Sequence, residues 1–219
     1  MIDAVLFDLD GTLADTAPDM ARTVNLMRVR RALAPVPLDQ VRPHVSQGAR
    51  GMICSAFDIT PEHPDFMAMR EEFLDLYADN LCIDTRLFPG MDALLELLES
   101  RSLAWGVVTN KFERFARPVM AGLGLGERAG VVVGGDTCAR SKPFPDPLLF
   151  AADALGVAPA RTLYVGDDQR DVQAARAAGM PVLVAGYGYL GNGPGPSHWN
   201  ADGIVNSAAE IGQWIDAAS

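Results

Sequence analysis

The sequence predicts an α/β fold: a Rossmann-like, doubly wound parallel sheet with a helical segment inserted after its first strand. Short unbroken apolar runs recur at residues 4–7, 104–108, 131–133, 163–165 and 182–184, each bounded by turn residues. Segments of helical period separate them at 91–100, 114–123, 147–155 and 168–178. Strands covered by helices on both faces read as continuous hydrophobic stretches rather than alternating ones, which is the pattern of βαβ units. Between residues 16 and 85 the strand signal stops and only helical spacing remains.

Taken in order, the first run leads directly into Asp8-Leu9-Asp10-Gly11. In the insert that follows, Phe66, Met69, Phe73, Leu74, Tyr77 and Leu81 recur at the spacing of one helical face. Asp15-Thr16-Ala17-Pro18 and Phe88-Pro89-Gly90 flank the insert as hinge sequences. The expected division is a core of residues 1–15 and 86–219 and a helical insert of residues 16–85. The second run ends in Thr109 and Asn110, Lys142 lies a loop beyond the third, and Asp167, Asp168 and Asp171 follow the fourth. After the fifth, Gly186-Tyr187-Gly188-Tyr189-Leu190-Gly191 has the spacing of a dinucleotide-binding turn. Asn192-Gly193-Pro194-Gly195-Pro196 cannot open the helix that would hold a pyrophosphate, so that reading is rejected; the Gly/Pro-rich stretch from Gly191 to Pro196 reads as a surface loop or, lying just after a strand, as a border of the site mouth.

Composition narrows the partners. Hydrophobic residues make up 49% and charged residues 21%, as in a globular protein with a substantial core. The formal net charge of −10 argues against nucleic acid and against an anionic membrane, both of which need a basic stripe. Cys54, Cys82 and Cys138 are too few and too scattered for a disulfide framework or a zinc site, and His44, His63 and His198 have no metal-ligand spacing. With no basic leader and no apolar run of about 20 residues, a cytoplasmic location is expected.

The polar residues that end the strands carry the chemistry. In an open α/β sheet the carboxyl ends of the strands share one edge, and ligands bind there. Asp8, Asp10, Thr109, Asn110, Lys142, Asp167, Asp168 and Asp171 should therefore converge from four distant parts of the chain. Carboxylates crowded together raise one another's pKa unless a cation lies between them. An all-oxygen ligand set favours Mg²⁺. The same ion would bridge to a phosphoryl oxygen while Lys142 and the Thr109 hydroxyl bind the others, leaving a carboxylate to attack phosphorus.

Four motifs, in order, resemble those of the haloacid dehalogenase-like hydrolases. They are Asp8-Leu9-Asp10-Gly11-Thr12-Leu13, Val107-Val108-Thr109-Asn110, Ser141-Lys142-Pro143 and Gly166-Asp167-Asp168 with Asp171. The resemblance covers essentially the whole chain. It implies a phosphatase in which Asp8 is the nucleophile and Asp10 the general acid, first protonating the leaving alcohol and then activating water. It places Mg²⁺ on Asp8, the Asp10 main-chain carbonyl and Asp167, with Asp171 and Asp168 supporting Lys142 or a metal-bound water from behind. Asp10 points to phosphate rather than halide chemistry, because a halide needs no proton. The insert is then a mobile cap that closes over small substrates.

Within the family the chain is similar to bacterial phosphoglycolate phosphatases through Asp15-Thr16-Ala17-Pro18-Asp19, Gly48-Ala49, Lys142-Pro143-Phe144-Pro145-Asp146-Pro147 and Tyr187-Gly188-Tyr189. Ser46 stands where that branch carries the first glycine of a Gly-x-Gly cap loop. Ser46-Gln47-Gly48-Ala49-Arg50, the segment 105–111 and the segment 187–202 also resemble N-acetylmuramic acid 6-phosphate phosphatases. Either branch implies a small carboxylated phosphomonoester as the partner, met by Asn110, Gly48 and Arg50, in a monomer or homodimer. Two other readings are a sugar phosphotransferase and a non-catalytic binding module that keeps the fold.

Overall fold

The computed structural model describes residues 1–218; Ser219, the last residue of the expected core segment, lies outside them. From the N-terminus come β1 (Ala4–Phe7), the two-residue β2 (Ala14–Asp15) and helices α1 (Ala17–Arg30), α2 (Leu38–Val41), α3 (Gly48–Phe57) and α4 (Phe66–Ala78). Next are β3 (Arg86–Leu87), α5 (Met91–Ser100), β4 (Ala104–Val108), α6 (Glu113–Gly122), β5 (Val131–Val133) and α7 (Asp146–Leu155). The chain closes with β6 (Thr162–Gly166), α8 (Gln169–Ala178), β7 (Val182–Ala185), β8 (Gly203–Val205) and α9 (Ala208–Ala217).

The main sheet has the order β5-β4-β1-β6-β7-β8, and all its pairs are parallel. All four residues of β1 are buried, as a central strand covered on both sides requires. Val5 and Phe7 pack with apolar residues of α5, α6 and α9, whereas Leu6 packs with those of α7 and α8. The sheet is therefore doubly wound. Each fully buried Leu or Phe contributes about 1.5–3 kcal/mol through water exclusion, so the strands hold the sheet edge rigidly.

Register does the positioning. Phe7 pairs with Val107 on one side and Val165 on the other. One residue on, Asp8 leaves the sheet beside Val108 and Gly166, with Thr109 and Asp167 just beyond. Adjacent strands lie about 4.8 Å apart, so groups leaving neighbouring strand ends share one small volume.

Helices α1 to α4 form their own apolar cluster, around Met27, Met52, Ile53 and Phe73, which Phe115 and Tyr189 of the sheet-bearing part also join. β2 and β3 pair antiparallel where the chain leaves for these helices and returns, Ala14 with Leu87 and Asp15 with Arg86. Buried Asp19 staples the return: its carboxylate accepts from the backbone N–H groups of Ile83, Asp84 and Thr85 and from the Thr85 hydroxyl, at 2.7–3.0 Å. Among the described residues no helix is long and apolar enough to cross a membrane.

Candidate active site

Asp8 sits at the end of β1, and its Oδ1 accepts from the Leu9 N–H at 2.7 Å. The same oxygen lies 3.0 Å from the Lys142 ammonium. Lys142 is buried, donates to the Val108 carbonyl at 2.9 Å, the Tyr164 hydroxyl at 2.8 Å and Asp171 Oδ1 at 2.7 Å, and borders the cavity described below. Burial alone would strip its proton, but Asp171 and Asp8 outweigh that and hold the ammonium charged. Asp171 is used on both oxygens, since Oδ2 accepts from the Asp168 N–H. That contact belongs to the capping box that starts α8, so helix start and lysine anchor are one device.

Asp167 lies beneath, wholly buried, accepting from the Thr12 hydroxyl at 3.1 Å and from the Tyr189 N–H at 2.8 Å. Space there is reserved by Gly11: its φ is +85°, and a Cβ would sit 2.1 Å from Asp167 Oδ2. Carboxylate oxygens of Asp8, Asp167 and Asp171 fall within 4.8 Å of one another. Burial raises Asp8 to about 7 against the pull of Lys142, with Asp171 and Asp10 adding to the rise. Burial, then the charges of Asp8 and Asp171, pushes Asp167 well above the usual carboxylate range. One lysine does not balance this cluster, and an all-oxygen group short of positive charge is what a hard divalent cation fits.

Asp10 points elsewhere. Its Oδ1 accepts from the Thr16 hydroxyl at 2.5 Å and from the Lys111 ammonium at 2.7 Å. Lys111 also lies over the ring of Tyr77 from α4, 4.9 Å from its centroid. Burial opposes its charge, but Asp10 and Tyr77 keep it protonated. The residue-by-residue reading of the sequence does not single out Lys111; its place directly after Thr109-Asn110 is the only local signal.

Thr109 and Asn110 complete the floor. The Thr109 hydroxyl accepts from the Lys111 N–H at 3.1 Å, which leaves its proton free for a ligand. Asn110 Nδ2 donates to the Lys142 carbonyl at 2.9 Å, while its buried Oδ1 has no partner. Asp168 pairs with Arg170 at 2.8 Å, and that guanidinium also donates to the Ser46 carbonyl at 2.7 Å, tying α8 to the helical insert. Burial would raise Asp168, but the hydrogen bonds and charge of Arg170 hold it below the usual range. Arg170, like Lys111, is missed by sequence reasoning, because its use depends on a partner 124 positions away.

These groups enclose a cavity of 200 Å³ bordered by Asp8, Asp10, Thr109, Asn110, Lys142 and Gly48 among others. Asp168 and Asp171 also reach it, whereas Asp167 stays below its floor. A second cavity of 260 Å³ adjoins it, sharing Gly48, Asn110 and Lys111 as common walls, and Arg50 borders only this one. Buried Ser46 Oγ, at the first cavity, also lacks a hydrogen-bond partner. Buried polar atoms are seldom left unpaired, so orphans lining a cavity mark places for a ligand.

The chain matches the family described as haloacid dehalogenase-like hydrolase over residues 5–185. It is 44% identical over 217 residues to the N-acetylmuramic acid 6-phosphate phosphatase of Pseudomonas aeruginosa, covering 99% of this chain and 96% of that one. It is 46% identical over 218 residues to the phosphoglycolate phosphatase of Xanthomonas campestris pv. campestris, covering 98% and 96% respectively. The crystal structure of a predicted phosphoglycolate phosphatase from Haemophilus somnus superposes with a TM-score of 0.83 at 28% identity, covering 98% of each chain.

Proposed function

The chain belongs to the haloacid dehalogenase-like hydrolase family and is a hydrolase of phosphoric monoesters, and we propose that it transfers the phosphoryl group first to Asp8. The observation that supports this is a single geometry. Asp8 opens on a cavity, lies 3.0 Å from a charged lysine, and shares its carboxylate cluster with a buried Asp167.

In this reading the phosphoryl group enters the 200 Å³ cavity. Lys142 and the free Thr109 proton bind its peripheral oxygens, where negative charge collects in the transition state. Asp8 attacks phosphorus as the ester oxygen leaves. Asp10 protonates that oxygen and later takes a proton from the water that cleaves the acyl phosphate. Asp171 keeps Lys142 charged and in place, and Asp168 fixes Arg170 against Ser46.

Mg²⁺ is the cation that suits the oxygen-only set, held by Asp8, Asp167 and the Asp10 main-chain carbonyl. When bound it supplies charge neutralisation between the acidic groups and the phosphoryl oxygens. Residues 16–85 act as a cap over the site, hinged at the β2–β3 ribbon, with Thr16 and Tyr77 reaching the Asp10–Lys111 pair.

The substrate is a small carboxylated phosphomonoester, read as 2-phosphoglycolate or, alternatively, N-acetylmuramic acid 6-phosphate, since relatives of both kinds align over nearly the whole chain. Hydrolysis of a generic aryl phosphate tests the reaction class. Chelation should abolish it and Mg²⁺ restore it, and Asp8→Asn should lower kcat by about a thousandfold or more, the scale of losing a nucleophile. Substantial Mg²⁺-dependent turnover in Asp8→Asn would remove Asp8 from this role.

A further inference from the structure

The second cavity is not explained by phosphoryl transfer. Asp8, Asp10 and Lys142 border the first cavity and not the second. One side of the second is aromatic, built from Phe73, Tyr77, Phe112 and Phe115, and Arg50 and Arg70 contribute cations. A wall of rings beside isolated charges is the make-up of a site for an organic body with a fixed polar group.

The two arginines differ. Arg50 is exposed, and its charge acts on the exposed Glu62 and on Cys54. Arg70, on α4, is partly buried and makes no hydrogen bond or ion pair with any described residue. A guanidinium that borders a cavity without a protein partner is available to a ligand, and its planar fork suits a carboxylate. Two turns along the same helix, buried Tyr77 lines the same cavity with Lys111 held over its ring. An unpaired cation thus borders an aromatic-walled space that adjoins the phosphoryl cavity.

We propose that Arg70 is a specificity-determining residue that holds a carboxylate on the leaving alcohol, and that the alcohol has a ring or comparable apolar body filling the second cavity. The inference rests on the phosphatase reading for placing phosphorus in the first cavity. A two-carbon acid carries its carboxylate one methylene from the ester oxygen, so with phosphorus at Asp8 that carboxylate stays by Lys111 and Asn110. A sugar phosphate bearing an ether-linked acid spans both cavities: its C–H faces lie on the rings, and its carboxylate reaches Arg70. Arg50, the candidate suggested by sequence, stands at the rim, where solvent screens its charge.

Calorimetric binding in the Asp8→Asn background, with Mg²⁺ present, tests this without turnover. The ligands are N-acetylmuramic acid 6-phosphate, the same sugar phosphate lacking the lactyl ether, and 2-phosphoglycolate. Preference for the carboxylated over the uncarboxylated sugar should fall at least tenfold in Arg70→Ala and be partly kept in Arg70→Lys. An unchanged preference, no preference before Arg70 is altered, or an equal loss for 2-phosphoglycolate would overturn the assignment. Aryl phosphate turnover by the unsubstituted protein checks the phosphatase reading separately, so either can fail while the other stands.

Discussion

At Asp8 two pressures oppose each other: burial favours the neutral acid, and Lys142 at 3.0 Å favours the carboxylate, with burial prevailing at a pKa of about 7. The unfolded value is 3.8, so the folded pKa is raised. A raised acid contributes stability that is fully present below the unfolded pKa and is lost as pH rises through the folded one. In metal-free protein this loss runs from about pH 4 to about pH 7, and Asp167 adds to it in the same direction. A divalent cation reverses the balance because it binds the deprotonated oxygens. The rise in melting temperature on adding Mg²⁺ should therefore be larger near pH 8 than near pH 5. Equal increments at the two pH values, measured by thermal melting against a chelator control, would mean that Asp8 and Asp167 do not hold the ion.

Among the elements, the loop after β1 and the return from the helical insert are the tightest joints. Gly11 combines a φ of +85° with a virtual Cβ contact of 2.1 Å to Asp167. Gly11→Ala should cost about 1–2 kcal/mol for the left-handed backbone alone. It should also push the Asp167 carboxylate aside and weaken Mg²⁺ binding; unchanged metal affinity would show that Asp167 is not a ligand. At the return, Asp19→Ala removes the common acceptor of three N–H groups and one hydroxyl. Denaturant unfolding should show a loss of about 2–4 kcal/mol, the scale for stranding donors that were bonded to a charge. A loss below about 0.5 kcal/mol would mean that water replaces Asp19 at this joint.

Over the whole molecule, what was legible follows from how far each signal reaches along the chain. The five apolar runs match strands because burial on both faces marks each residue of the run. β8 carries no such signal: it has three residues, with Ile204 exposed, and so leaves neither an unbroken run nor a clear alternation. Asp8, Asp10, Asp167 and Asp171 are legible because they follow strand ends within recognisable motifs, and Lys142 because a motif marks it a loop beyond β5. Lys111 and Arg170 are not, since a lone cation looks like solvated surface until the fold brings Asp10, Tyr77 or Ser46 against it. The second cavity is legible only in part: Gly48, Ala49, Arg50 and Asn110 lie in recognisable motifs, whereas Arg70, Phe73, Tyr77 and Phe115 join them only through the packing of α4 and α6. The proposed role of Asp8 predicts a covalent intermediate. Asp10→Asn should still accept a phosphoryl group from an aryl phosphate, because that leaving group needs little protonation, but should release it slowly to water. Acid quench followed by peptide mass spectrometry should then find one phosphoryl group on Asp8, formed only with Mg²⁺ present. Absence of the adduct while product is released, or an adduct on another residue, would contradict the account.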